Sequence, residues 1–145
     1  MSFTFVDTHC HFDFPPFTGA ETESLRLAAE AGVGQIIVPA VTSDRFSGIL
    51  TLAEKFPQLH AALGLHPLYI AEHKDSCLDL LDSLLSQRDP RLVAVGEIGL
   101  DLYMEAPKFE QQQRLLKAQF ALAKREMLPV ILHSRRSHEI GRAHV

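Results

Sequence analysis

Short apolar runs alternate with stretches of helical period along the whole chain. Phe3–His11 reads as a strand, followed by a helix over Glu21–Ala31 that Gly32 closes. Gln35–Val41 reads as a second strand. After it, Ser43 or Asp44 is placed to cap a helix carrying Phe46, Ile49, Leu50, Ala53 and Phe56 at helical spacing, ended by Pro57. Leu59–His66 reads as a third strand, and Asp75 or Ser76 can cap a helix with Leu78, Leu81, Leu84 and Leu85 on one side, stopping before Pro90. Leu92–Leu100 is the fourth strand. Pro107 suits the first turn of a long helix through Phe109, Leu116, Phe120 and Ala123, and Pro129–His133 begins a fifth strand. No linker, low-complexity tract or strong internal repeat interrupts the series.

Five strand–helix units in a row predict an α/β fold with a parallel sheet, either doubly wound or a barrel. The position of the polar residues separates the two. They cluster at the C-terminal ends of strands one, three, four and five: Asp7-Thr8-His9-Cys10-His11, Gly64-Leu65-His66-Pro67, Gly96-Glu97-Ile98-Gly99-Leu100-Asp101 and His133-Ser134-Arg135. Functional groups drawn from several strand ends describe a (β/α)8 TIM barrel, and no GxGxxG or Walker loop supports a nucleotide-binding alternative. Such a barrel needs roughly 200–250 residues. With 145 residues, only about the first five βα units are expected here.

Composition narrows the class. At 46% hydrophobic and 22% charged residues the chain can bury a core, which excludes disorder. No apolar run reaches the roughly 18 residues of a membrane span, and the start MSFTFVDTHCHFDF lacks the pattern of a signal peptide. Fourteen Lys and Arg against 18 Asp and Glu leave −4, which argues against a broad footprint for duplex nucleic acid but permits a local basic patch. Two cysteines, Cys10 and Cys77, form no CxxC motif and fit a reducing cytoplasm, as small buried apolar residues. No membrane association and no obligate protein partner are expected. Eight histidines are the unusual feature.

If strand one runs through DTHCH, Asp7, His9 and His11 share a face and Cys10 points the other way. Two imidazoles so spaced can grip one divalent ion; the plainer alternative is a polar strand end whose histidines only hydrogen-bond. Glu97 lies in the apolar run LVAVGEIGL, where a carboxylate is costly to bury unless it is paired, for example with Arg135, or bound to a metal. His133 ends the apolar PVIL. By itself it is more often a satisfied core histidine. With His9, His11 and Glu97 it makes a nitrogen and oxygen donor set for one or two divalent ions: imidazoles suit Zn2+ or Mn2+, oxygen suits Mg2+. Arg135 and His66 offer donors to an anionic oxygen, for which phosphate is the natural guest. Asp101 can hydrogen-bond a ligating imidazole, orient a water, or merely cap its loop. Tyr103 is a weaker candidate. His60, His73 and His138 look ordinary, His73 sitting among loop charges.

The motifs DTHCHFD, GLHP, VGEIGLD and PVILHSR, in this order, resemble the TatD family of metal-dependent hydrolases, and GLDLY with HSRRSHE is most like its YjjV-type branch. The resemblance covers about Phe5 to Glu139. It implies a metal-dependent-hydrolase TIM barrel that hydrolyses phosphoester bonds, typically as a deoxyribonuclease on DNA, with divalent ions (Mg2+, Mn2+ or Zn2+), two per site and bridged by one carboxylate. Matched residue by residue, His9 and His11 are ligands of the first ion, Glu97 is the bridging carboxylate and His133 is a ligand of the second. On the reading of the residues themselves, Glu97 and Asp101 are the catalytic candidates, and His66 and Arg135 the substrate-binding ones. A small-molecule amide or ester hydrolase on the same scaffold is the alternative. The family places another ligand histidine after strand five and an aspartate near strand eight, which a chain ending at Val145 lacks. The chain as given is therefore expected to be an inactive fragment of a barrel over residues 1–139. Residues 140–145 (IGRAHV) match the translation of a common sequencing-adaptor start and are expected to be a non-native tail.

Overall fold

The computed structural model describes residues 4–137. Five strands, β1 (Phe5–Asp7), β2 (Val33–Pro39), β3 (Leu59–Leu63), β4 (Leu92–Asp101) and β5 (Val130–Arg135), alternate with four helices. These are α1 (Glu21–Glu30), α2 (Phe46–Lys55), α3 (Asp75–Ser86) and α4 (Phe109–Glu126). Short 3-10 segments occupy Ser43–Arg45 and Pro67–Glu72. Every strand pairs in parallel with its sequence neighbour, in the order β1-β2-β3-β4-β5. A doubly wound sheet reverses its strand order part-way; this one does not. The result is a curled half-barrel of the TIM type, in agreement with the fold expected from the sequence. The expected tail over residues 140–145 and His138 lie outside the described residues.

Burial follows position in the sheet. β3 and β4 are almost wholly buried, and Ile36, Val38, Leu59, Ala61, Leu63 and Val95 from the strands join Ile49, Leu81, Leu85, Leu115 and Leu116 from the helices in one core. Each of the fully buried leucines contributes about 1.5–3 kcal/mol relative to exposure. The two edge strands carry the opposite signature: Phe5 and Val6 on β1 are 64% and 52% exposed, and Leu132 on β5 is 49% exposed.

Element ends depart from expectation for local reasons. β1 stops at Asp7 rather than His11, because the Asp7 carboxylate accepts the His9 backbone N–H and turns the chain. α2 is entered through the 3-10 turn at Ser43–Arg45, with no side-chain cap from Ser43 or Asp44. α4 starts after Lys108, whose φ of 45° sets the turn, so Pro107 precedes the helix instead of opening it. The buried face of α4 runs through Gln112, Leu115, Leu116, Gln119 and Ala123, while Phe109 and Phe120 are only partly buried beside it.

Candidate metal centre

Four strand ends converge on one carboxylate. β4 passes Glu97 with an irregularity in its register against β5: Gly96 faces Ile131 and Ile98 faces Leu132, so Glu97 has no partner position. Such bulges re-aim a side chain. Here the Glu97 amide donates to the Ala40 carbonyl beyond β2, and the residue is only 4% exposed.

Each oxygen of Glu97 has its own pair of imidazoles. Oε2 lies 3.0 Å from Nε2 of His9 and 3.2 Å from Nε2 of His11. Oε1 lies 3.1 Å from Nδ1 of His133 and 3.4 Å from Nε2 of His66. The alternation expected at DTHCH survives although the strand does not reach it. The Cys10 N–H donates to Ile37 O at 3.1 Å, which keeps this stretch alongside β2, and Cys10 packs against the core while both histidines turn to Glu97. Asp7 does not share that face in function, since its carboxylate is engaged by the His9 backbone.

Hydrogen-bond partners decide where the ring protons sit. Nδ1 of His66 accepts the Leu68 N–H at 3.0 Å, so a neutral His66 carries its proton on Nε2 and donates toward Glu97. His133 donates from Nε2 to Oδ2 of Asp101 at 2.8 Å, which leaves its Nδ1 lone pair facing Glu97. Two acceptors 3.1 Å apart need a proton or a cation between them. The donor chemistry therefore fits a divalent ion, with His9, His11 and Glu97 able to hold one ion, and Glu97 and His133 able to contribute to a second. The second group also includes His66, but its proton marks it as a donor.

The electrostatics say the same. Burial pushes the Glu97 carboxyl up, yet the imidazoles of His11, His133 and His66 outweigh it and hold the group far below the ordinary carboxylate range. In return Glu97 pushes His11 and His133 up, against the effect of their partial burial. Asp101 is fully buried, which raises its carboxyl, but His133, the Tyr103 amide and Arg135 hold it low. Arg135 sits beside the centre, tied to Asp101 at 2.9 Å rather than to Glu97, and its guanidinium lies 4.7 Å from the Tyr103 ring centroid.

Three polar residues behind this cluster escaped the sequence reading. His73, placed among loop charges, is buried and donates from Nε2 to the His66 carbonyl at 2.7 Å. Gln112 accepts the Asp101 N–H at 2.8 Å and donates to the Asp101 carbonyl at 2.9 Å. Gln119 accepts the Leu65 N–H at 2.7 Å. Each fixes the backbone of a segment that carries a residue of the centre. Two glutamines seven residues apart on one helix face, inside an apolar stripe, were the available signal.

The sequence profile described as TatD related DNase matches residues 6–142. The chain belongs to this TatD family. It is 58% identical over 135 residues to the Escherichia coli K12 protein named "Uncharacterized metal-dependent hydrolase YjjV", covering 93% of this chain and 52% of that one. The human protein named "Deoxyribonuclease TATDN3" is 33% identical over 144 residues, which is 90% of this chain and 52% of the relative. The crystal structure of E. coli YjjV, a TatD homologue, superimposes with a TM-score of 0.94 at 56% identity, covering 97% of this chain and 54% of that one. This TatD chain thus spans about half the length of the relatives it matches. It carries half of a TIM-type barrel, and the E. coli relative that it matches over that half is named a metal-dependent hydrolase. Among the described residues of this TatD chain, no helix is long and apolar enough to cross a membrane.

Proposed function

We propose that the chain supplies the first five βα units and four metal ligands of a divalent-metal-dependent phosphodiesterase that cleaves ester bonds in DNA. The observation that carries this reading is the division of Glu97, with His9 and His11 on one oxygen and His133 Nδ1 on the other. A carboxylate so placed is suited to bridge two ions. Deoxyribonuclease names in the family and in a relative supply the substrate class.

Bound divalent ions, Mn2+, Zn2+ or Mg2+, supply positive charge that polarises a phosphoryl oxygen and acidifies a water. The chain's own residues organise that site. Asp101 keeps the His133 proton on Nε2 and so reserves Nδ1 as a ligand; it acts through His133. His66 offers its Nε2–H to an oxygen of the substrate, with its ring fixed by Leu68 and its carbonyl by His73. Arg135 brings a guanidinium to the same rim, where a phosphate gains more from it than a neutral ester does. The free cysteines Cys10 and Cys77 support a reducing compartment such as the cytoplasm. The 145-residue chain by itself is proposed to bind ions weakly and turn nothing over. Both sheet edges expose apolar side chains, and the further histidine and aspartate implied by the resemblance have no counterpart at the centre among the described residues.

The test joins residues 1–137 to the second half of E. coli YjjV, where 56% identity and closely superimposable backbones favour a folded chimera. Degradation of a single-stranded oligonucleotide with added Mn2+, abolished by Glu97→Ala, is the expected result. A folded, metal-loaded chimera that cleaves an aryl amide and no phosphodiester would overturn the reading.

A further inference from the structure

Beside the Glu97 centre the same local device occurs twice. In the loop after β1, the Phe14 N–H bonds the His11 carbonyl at 3.1 Å, and the two rings meet edge to face with centroids 6.0 Å apart and planes at 89°. After β3, the Tyr69 N–H bonds the His66 carbonyl at 3.1 Å, and those rings meet at 6.0 Å and 84°. Each turn therefore takes a histidine that faces Glu97 and sets an aromatic ring against it three residues later. His11, Phe14, Val41, His66, Leu68 and Tyr69 enclose an open cavity of about 280 Å3. Phe14 is fixed from outside this cavity: the Arg45 guanidinium lies 3.6 Å from its ring centroid, and Arg45 is itself held by Asp13 at 3.1 Å.

An apolar slot rimmed by two aromatic rings, directly against a centre suited to phosphate, is a place for a flat ring attached to that phosphate. We propose that Phe14 and Tyr69 form an aromatic clamp for one nucleobase of the substrate strand, adjacent to the scissile phosphodiester. At about 280 Å3 the cavity falls just below the roughly 300–1,000 Å3 of drug-sized ligand pockets, which suits one base and excludes a stacked duplex. The clamp carries few polar groups toward the base, and stacking on aromatic rings tolerates every base because each has a π-face. It therefore selects single-stranded ends with little sequence preference, in keeping with a net charge of −4 that provides no broad phosphate footprint. Its substrate class rests on the phosphodiesterase reading above; the cavity and its rings do not.

The experiment titrates the 145-residue chain, isotope-labelled for NMR, with thymidine 5′-monophosphate and, separately, with 2-deoxyribose 5-phosphate. The nucleotide is expected to shift the ring protons of Phe14 and Tyr69, whereas the sugar phosphate leaves them in place. Phe14→Leu and Tyr69→Leu keep apolar bulk but remove the ring, and each is expected to weaken nucleotide binding about ten-fold, within the range that base stacking gives. Equal affinity for the two probes, or unchanged nucleotide affinity in both leucine variants, overturns the clamp. A parallel Mn2+ titration separates the two claims. Nucleotide shifts without paramagnetic broadening at His9, His11 and His133 keep the clamp and remove the metal reading; broadening without nucleotide shifts does the reverse.

Discussion

Replacing Asp101 with asparagine changes one atom in a buried site whose hydrogen bonds are fully determined. Asp101 accepts three bonds: the Tyr103 N–H at 3.0 Å on Oδ1, and His133 Nε2 at 2.8 Å with Arg135 Nε at 2.9 Å on Oδ2. An asparagine has one acceptor oxygen and a donor amide. With its oxygen toward His133, the amide confronts the Tyr103 N–H. With the oxygen toward Tyr103, the amide confronts His133 and Arg135, and His133 must move its proton to Nδ1, which then can no longer ligate. At least one buried donor is left unpaired in either orientation, a loss of about 1–3 kcal/mol in stability. Loss of a carboxylate that orients a ligating imidazole lowers metal affinity about 10- to 100-fold, or about 1.4–2.7 kcal/mol. Urea unfolding of the metal-free chain gives the first number, and Zn2+ competition against a chromophoric chelator gives the second. Asp101→Asn that binds Zn2+ as the parent does would refute the argument that Asp101 acts by setting the His133 tautomer.

Other consequences can be measured in the same preparations. A Cβ at Gly99 would lie 1.8 Å from the His133 carbonyl oxygen, so Gly99→Ala should force β5 away from β4, costing about 2 kcal/mol or more in urea unfolding and weakening Zn2+ binding; a neutral variant would contradict the close strand approach. Gln119→Leu leaves the buried Leu65 N–H without its acceptor and should cost about 1–3 kcal/mol by the same measurement, whereas an unchanged midpoint would show that Gln119 does not hold the loop before His66. Glu97 raises His11 and His133 above the ordinary imidazole value of 6.5, so in the metal-free chain their contribution is full below that value and is lost as pH rises through their folded values. The urea midpoint should therefore fall above pH ~6.5, with Glu97→Gln flattening the trend; a parent midpoint that rises with pH would contradict it. In the active chimera, Arg135→Ala should reduce kcat/KM on a phosphodiester more than on a neutral ester, and equal losses would remove the proposed phosphate contact.

The strand ends carried most of what was legible. His9 and His11 could be paired from alternation alone, because one carbonyl of β2 holds Cys10 beside the sheet beyond the strand proper. Glu97 and His133 stood out as polar residues in apolar runs, and burial gives them reason to meet. The parallel order of the sheet followed from the alternation of elements. What the sequence left open depends on partners distant along the chain. Asp101 could be a catalytic, orienting or capping residue until its contact with His133, 32 residues away, was seen. Gln119 bonds Leu65 across 54 residues, a pairing that no periodicity reports. His73 looked solvated because its neighbours are charged, while its ring turns inward to a backbone carbonyl. The pairing of Phe14 with His11 and of Tyr69 with His66 was present as a three-residue spacing, but only the turn geometry shows that both rings edge one cavity.

The division of the Glu97 carboxylate between two ion sites is tested most directly by anomalous diffraction at the zinc edge from crystals of the chimera grown with Zn2+. The account predicts two peaks, one between Oε2 and the Nε2 atoms of His9 and His11, the other between Oε1 and Nδ1 of His133, with His66 hydrogen-bonding rather than ligating. A single peak, or a zinc bound through Nε2 of His66 with His133 left on Asp101 alone, would contradict it.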